Sequence, residues 1–289
     1  MCFNATRTQL LVLDKNALRA SAASTAKARA DSAGLGVLVI DTTFKEIARG
    51  GNWPTHYESD FRDWTDRPSR MSVSWGIGEL LRMERQAANP ASVVDPEMTN
   101  RHRELLAALA AGDRAALIEA GPRVLAESSR MAATGGELNA AGRLALMQRM
   151  TDVWWQHGNE DVRQVIRREL EDQAGGPLVD LGRIVMTSSL RAPLESSLVQ
   201  TGCTPELAAV LLSTPTFTNF LHSTFEAYSL ILWAQGQRLD AVNAERFLNQ
   251  MLDLDYAAYG LCCAGLITNE RIISRLEAGL RSACQSLWP

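Results

Sequence analysis

The chain is poor in the residues that would mark a disulfide scaffold, a zinc module or a membrane span. Among 289 residues there are five cysteines and four histidines. Cys2, Cys203, Cys262, Cys263 and Cys284 are odd in number and form no CxxC pair, which argues against a disulfide framework and a structural zinc site. Cys262 and Cys263 lie in an apolar helical stretch and read as small core residues. His56, His102, His157 and His222 show no HxxxH or HExxH spacing. No apolar run reaches the roughly 18–20 residues that cross a bilayer. Met1-Cys2-Phe3-Asn4 has no basic-then-apolar signal pattern, so no membrane is expected and cytoplasm is the default. There is no internal repeat, which removes a solenoid. Gly76-x-Gly78 lacks GKS or GKT and a βαβ setting, and Gly135-Gly136 and Gly175-Gly176 follow no strand. These glycines are breaks rather than phosphate loops. With a formal net charge of −4, overall charge cannot drive nucleic-acid binding; a local basic groove would have to.

What is present is ordinary soluble-protein composition, 46% hydrophobic and 21% charged, with enough length for one large or two ordinary domains. Residues 9–13 and 36–40 are uninterrupted apolar runs, as expected of parallel strands buried on both faces. An alanine-rich helix over 17–30 separates them and stops near Gly34. Asp41, Thr42 or Thr43 can cap a short helix containing Glu46. Residues 50–75 are irregular and aromatic. Trp53, Trp64 and Trp75 with Arg62, Arg67 and Arg70 read as a structured packing loop, or as a stacking surface for a single strand. From Gly76 to Gly236 the pattern is helical, with breaks at Asn89-Pro90, Ala111-Gly112-Asp113, Gly135-Gly136, His157-Gly158-Asn159, Gly175-Gly176-Pro177 and Thr214-Pro215. Trp154-Trp155 reads as an inter-helix contact. A helix over 240–263, a strand over 265–268 and a helix over 270–284 close the chain. The expected fold is α/β. A parallel sheet built from residues 1–60 and 240–289 would be interrupted by an all-α insertion, 61–239.

Four acidic segments stand at the two ends. Leu10-Leu11-Val12-Leu13 ends in Asp14, and Val37-Leu38-Val39-Ile40 runs into Asp41 and then Glu46. Asp253 and Asp255 begin a helix, and Gly265-Leu266-Ile267-Thr268-Asn269 leads to Glu270. In open α/β sheets ligands bind beyond the carboxyl ends of the strands. A strand-end aspartate alone is usually a turn former or a helix cap. Several together make a divalent-metal site. Asp253 and Asp255, two residues apart on a helix, point to different sides. Asp253 is favoured, with Asp255 the competitor, and Asn249 lies one turn before Asp253 on its face.

In order and element type these segments resemble the PIN-domain nuclease superfamily. In that family the first strand ends in an aspartate followed two residues later by a small polar residue, here Asp14 and Asn16. The second acid is a Glu on the helix after the second strand, here Glu46. The third begins a helix rich in small residues, here Asp253 before Ala257 and Ala258. The last follows a Thr at a strand end, here Thr268-Asn269-Glu270, with Glu in place of the usual Asp. The resemblance covers roughly residues 8–50 and 240–285. It implies a PIN-like sheet and a metal-dependent nuclease, more often a ribonuclease. Asp14, Glu46, Asp253 and Glu270 would carry catalysis, and with Asp255 would be the candidate metal ligands. Oxygen donors select Mg²⁺ or Mn²⁺. Asn16, Asn249 and Thr268 would orient the carboxylates, and Lys15, Lys45 and Arg49 could contact phosphate. Nucleic acid, RNA first, is the expected partner, and the helical block could receive a protein partner or a second copy. The rival expectation is a PIN-like binding or regulatory protein with weak or lost catalysis.

Overall fold

A computed structural model describes residues 9–48, 52–87, 91–121, 140–188, 195–196, 198–199, 202–239 and 244–289. Its centre is a five-stranded sheet of order β4-β3-β2-β1-β5. The strands are β1 (Leu10–Leu13), β2 (Gly36–Val39), β3 (Met71–Ser74), β4 (Val94–Asp95) and β5 (Gly265–Ile267). β1 pairs in parallel with both β2 and β5, and β2 pairs in parallel with β3. Only β4 runs antiparallel, against β3.

The alternation of side chains along a strand divides the apolar runs between two cores. Val12, Leu38 and Leu266 enter one core, while Leu11, Leu13, Val37, Val39, Met71 and Val73 enter the other. A sheet buried on both faces explains why β1 and β2 carry no polar residue. On the second face lie α1 (Ala20–Ser32), α2 (Asp41–Ala48), α3 (Trp53–Phe61) and α5 (Pro96–Ala110). The first face is covered by α4 (Ile77–Ala87), α6 (Ala140–His157), α7 (Glu160–Glu171), α8 (Val179–Thr187), α9 (Pro205–Ser213), α10 (Phe217–Ala234), α11 (Ala244–Cys262) and α12 (Arg271–Leu287).

Every residue of α10 is buried. A helix buried on all sides needs neighbours all round it, and α10 packs against α4, α6, α7, α8, α9, α11 and α12. Its start is anchored by Glu84 of α4. That carboxylate accepts the backbone N–H groups of Phe217 and Thr218, at 2.7 and 2.8 Å, and the Thr218 hydroxyl at 2.7 Å. The first turn of a helix leaves such donors unmet, and a carboxylate there satisfies them. Burial still pushes the Glu84 carboxyl above the usual range, against these hydrogen bonds.

Several features differ from the sequence expectation: residues 53–61, read as irregular, form α3, and the sheet, read as parallel, is mixed because of β4. Residues 71–74 and 94–95 are strands, so the sheet continues past residue 61 to Asp95. The reason is a strand too short to show a pattern, joined to an aromatic segment that hides Met71-Ser72-Val73-Ser74. The helical block also shares one apolar core with β1, β2 and β5. Most described helix ends fall within a few residues of the breaks named above, of which Asn89-Pro90 and Gly135-Gly136 lie outside the described residues.

Candidate active site

The parallel strands all point their carboxyl ends to one edge. Asp14, Asp41, Ser74 and Thr268 follow or end β1, β2, β3 and β5 there. The chain leaves β1 for β2 and β3 on one side and returns as β5 on the other. That reversal of direction makes the β1/β5 junction the switch point where open α/β sheets bind ligands.

Asp14 is 4% exposed. Its backbone N–H donates to Ile267 O at 3.0 Å, fixing it between β1 and β5. Its side chain caps a 3₁₀ turn, Lys15–Leu18, accepting the Asn16 N–H at 3.4 Å. Thr268 Oγ1 donates to Asp14 Oδ2 at 2.8 Å. Thr268 in turn accepts the Glu270 backbone N–H at 3.0 Å, which directs its single proton to Asp14. Burial raises the Asp14 pKa, opposed by the Thr268 hydroxyl, the Asn16 and Lys15 backbone amides and the Lys15 charge. Asn16 thus acts through its backbone, its side chain being exposed.

Asp253 on α11 is partly buried, with its pKa pushed up to about 7. Burial is the largest cause, followed by the negative charges of Asp14, Glu270, Glu46 and Asp255. The favoured carboxylates therefore share one electrostatic neighbourhood. Glu46 is held by Tyr256, whose hydroxyl donates to Oε2 at 3.1 Å. Glu270 is exposed at the start of α12.

Asp255 has a different environment. It is 1% exposed, and Arg143 of α6 contacts both of its oxygens at 2.8 Å. An ion pair turned toward α6 makes it a structural carboxylate first, which separates it from Asp253. Asp255, the competitor for the metal role, is engaged with Arg143 in this structure. Lys15 is partly buried beside Asp14. For Lys45 and Asn249 only the backbone, within α2 and α11, is among the described residues, and Arg49 lies outside them.

Sequence reading missed Tyr256, although it sits three residues after Asp253 on the same helical face. It also missed Arg143, whose link to Asp255 spans 112 positions and leaves no local trace. Two of the three tryptophans of the aromatic loop are turned into the core rather than presented for stacking. Trp53 and Trp64 are 6% and 0% exposed, and the Trp64 indole donates to Leu18 O. Arg67 and Arg70 pair with Asp31, and Arg62 with Glu58. Trp154 contacts Trp233, with ring centroids 5.6 Å apart. A cleft of about 350 Å³, lined by Arg101, Glu104, Leu105, Ala108, Ala116, Glu119 and Ala120, contains none of the clustered carboxylates.

The donor set suits a hard divalent cation, because every clustered side chain offers oxygen. The mutual repulsion that raises Asp253 is what a cation would relieve. Among the described residues, however, no group of three or more His, Cys, Asp or Glu side chains is drawn together closely enough to hold an ion as it stands. Ligation would need the carboxylates to close in from these positions. Comparisons with protein-family models, with curated proteins and with solved structures find no match for this chain.

Proposed function

We propose that this protein is a Mg²⁺- or Mn²⁺-dependent nuclease that hydrolyses phosphodiester bonds, with RNA the favoured substrate. The observation that carries the reading is Asp253, partly buried, with its pKa raised to about 7 by burial and by Asp14, Glu270 and Glu46. Buried like charges cost stability, and such arrangements concentrate at functional sites. The location at the switch point of the sheet supports the same reading. The choice of RNA comes from the PIN-like resemblance of the four acidic segments.

In this reading Asp14, Asp253, Glu46 and Glu270 hold the ion, directly or through water. When bound, the ion would supply charge neutralisation on the phosphodiester and lower the pKa of a water molecule. Thr268 fixes the rotamer of Asp14. Glu46, which accepts a hydrogen bond from Tyr256, or Glu270 would act as the base that takes a proton from the attacking water. Lys15 offers positive charge for a phosphate beside Asp14.

A second reading is binding without hydrolysis. It is favoured by the spacing of the acids, which as they stand hold no ion-sized group, and by the exposed Glu270. Mn²⁺ titration followed by electron paramagnetic resonance, together with cleavage of a labelled RNA by wild type and Asp14→Asn, separates the two. Mn²⁺ binding with Asp14-dependent cleavage is expected. RNA binding that persists with neither ion uptake nor cleavage would establish the second reading instead.

A further inference from the structure

The geometry points to Tyr256 as a positioning residue that sets Glu46 for metal binding, through a hydroxyl relay from Thr43. This inference rests on the nuclease reading and adds a residue that the resemblance does not supply.

Tyr256 is 2% exposed, on the face of α11 that carries Asp253. Its hydroxyl has two neighbours, Thr43 Oγ1 at 2.8 Å and Glu46 Oε2 at 3.1 Å. An ionised carboxylate only accepts, so the single phenolic proton goes to Glu46. The phenolic oxygen must then accept from the Thr43 hydroxyl.

The relay has a counterpart across the site. Glu270 N–H donates to Thr268, which donates to Asp14; Thr43 donates to Tyr256, which donates to Glu46. Each relay ends on one acid and is anchored in a different element. Tyr256 and Thr43 also tie α11, which carries Asp253, to α2, which carries Glu46. One hydroxyl thereby fixes the orientation of one acid and its spacing from another. Hydrogen-bond partners of this kind typically change metal affinity by about 10–100-fold.

The test uses the full chain and three variants, Tyr256→Phe, Thr43→Val and Asp14→Asn. Tyr256→Phe keeps the ring and removes only the hydroxyl, and its fold is checked by thermal unfolding. Mn²⁺ titration by electron paramagnetic resonance is expected to show weaker binding and an altered bound-ion spectrum for Tyr256→Phe. Thr43→Val should shift in the same direction by less. At saturating Mn²⁺, Tyr256→Phe should lower kcat on RNA and leave KM near wild type. Tyr256→Phe that binds Mn²⁺ as wild type does, while Asp14→Asn does not, would overturn the role of Tyr256 and leave the nuclease reading intact. Wild type that binds no Mn²⁺ would overturn the nuclease reading itself, and this inference with it.

Discussion

Thr268 Oγ1 donates to Asp14 Oδ2 at 2.8 Å across 254 positions of sequence. That bond closes the sheet edge between β1 and β5, because Asp14 N–H also donates to Ile267 O at 3.0 Å. The hydroxyl stabilises the charged form of a buried acid that burial pushes toward neutrality. Thr268→Val keeps the shape and removes the donor. It is expected to destabilise the protein by roughly 1.5–3 kcal/mol near neutral pH, as for a lost hydrogen bond to a charged group. Urea unfolding measures this, and Thr268→Ser should recover most of the loss. An unchanged midpoint for Thr268→Val would show that the bond contributes nothing.

Asp253 gives a pH prediction of defined sign. Its ordinary value is 3.8 and its folded value is about 7, so the folded chain holds a proton that the unfolded chain releases between them. Stability from this group is fully present below 3.8 and is lost as pH rises through about 7. Asp253→Asn removes the charge and should raise Tm at pH 8 in the presence of chelator. At pH 4 the same change should alter Tm little. Thermal unfolding at the two pH values decides it, and equal shifts at both would disprove the raised pKa. Cleavage of RNA should fall sharply in the same variant, so this position would trade stability for activity.

The parts of the site that were legible are those with a local signature. An uninterrupted apolar strand ending in a carboxylate identified Asp14, and the same run followed by a short helix identified Glu46. Glycine, proline and asparagine breaks located most helices, since those residues act on the backbone where they stand. What stayed hidden depends on distant packing. Asp253 and Asp255 share one helix and one chemistry, and the Arg143 partner of Asp255 comes from another helix, 112 positions away. Tyr256 has the spacing of a core residue, and its hydrogen bond to Glu46 spans 210 positions. β4 is two residues long, too short for any periodicity to register.

His102 is the acid-sensitive point of the second core. It is 2% exposed, and its ring stands edge-on to Phe44, Tyr57 and Phe61. Tyr57 Oη lies 3.0 Å from its Nδ1. Burial, with a smaller push from Arg103, lowers its pKa from 6.5 to about 3. The neutral imidazole and the Tyr57 hydroxyl share one hydrogen bond at Nδ1. The unfolded chain binds a proton between 6.5 and 3 that the folded chain refuses. Stability is present above 6.5 and falls as pH drops toward 3, by up to roughly 1.4 kcal/mol per pH unit. His102→Asn keeps an acceptor and cannot ionise. Its denaturation midpoint should fall less steeply than wild type between pH 6 and 4, although its stability at pH 8 is lower from lost packing. Parallel pH profiles for the two proteins would refute a buried neutral His102.

Gly279 tests how closely the helical block is packed to α12. A Cβ built there would lie 2.1 Å from Leu178 O and 2.5 Å from Leu178 C, and one at Gly182 would lie 2.4 Å from Gly279 O. Those are backbone atoms, which cannot rotate away as a side chain can. The crossing of α8 and α12 is held by Leu178 N–H donating to Arg275 O at 3.0 Å, so separation would also break a hydrogen bond. Arg275 is itself bound to Gly176 O at 2.7 Å on the same connection. Gly279→Ala must therefore push two helices apart inside the larger core. The expected loss is about 1–3 kcal/mol or more, the range for overpacking a filled interior. Gly176→Ala is the control. A Cβ there meets only Asp172 Oδ2 at 3.9 Å, an ordinary contact, so its stability should stay close to wild type. Chemical denaturation of both variants gives the answer, and a Gly279→Ala protein as stable as Gly176→Ala would mean the two helices do not touch through their backbones.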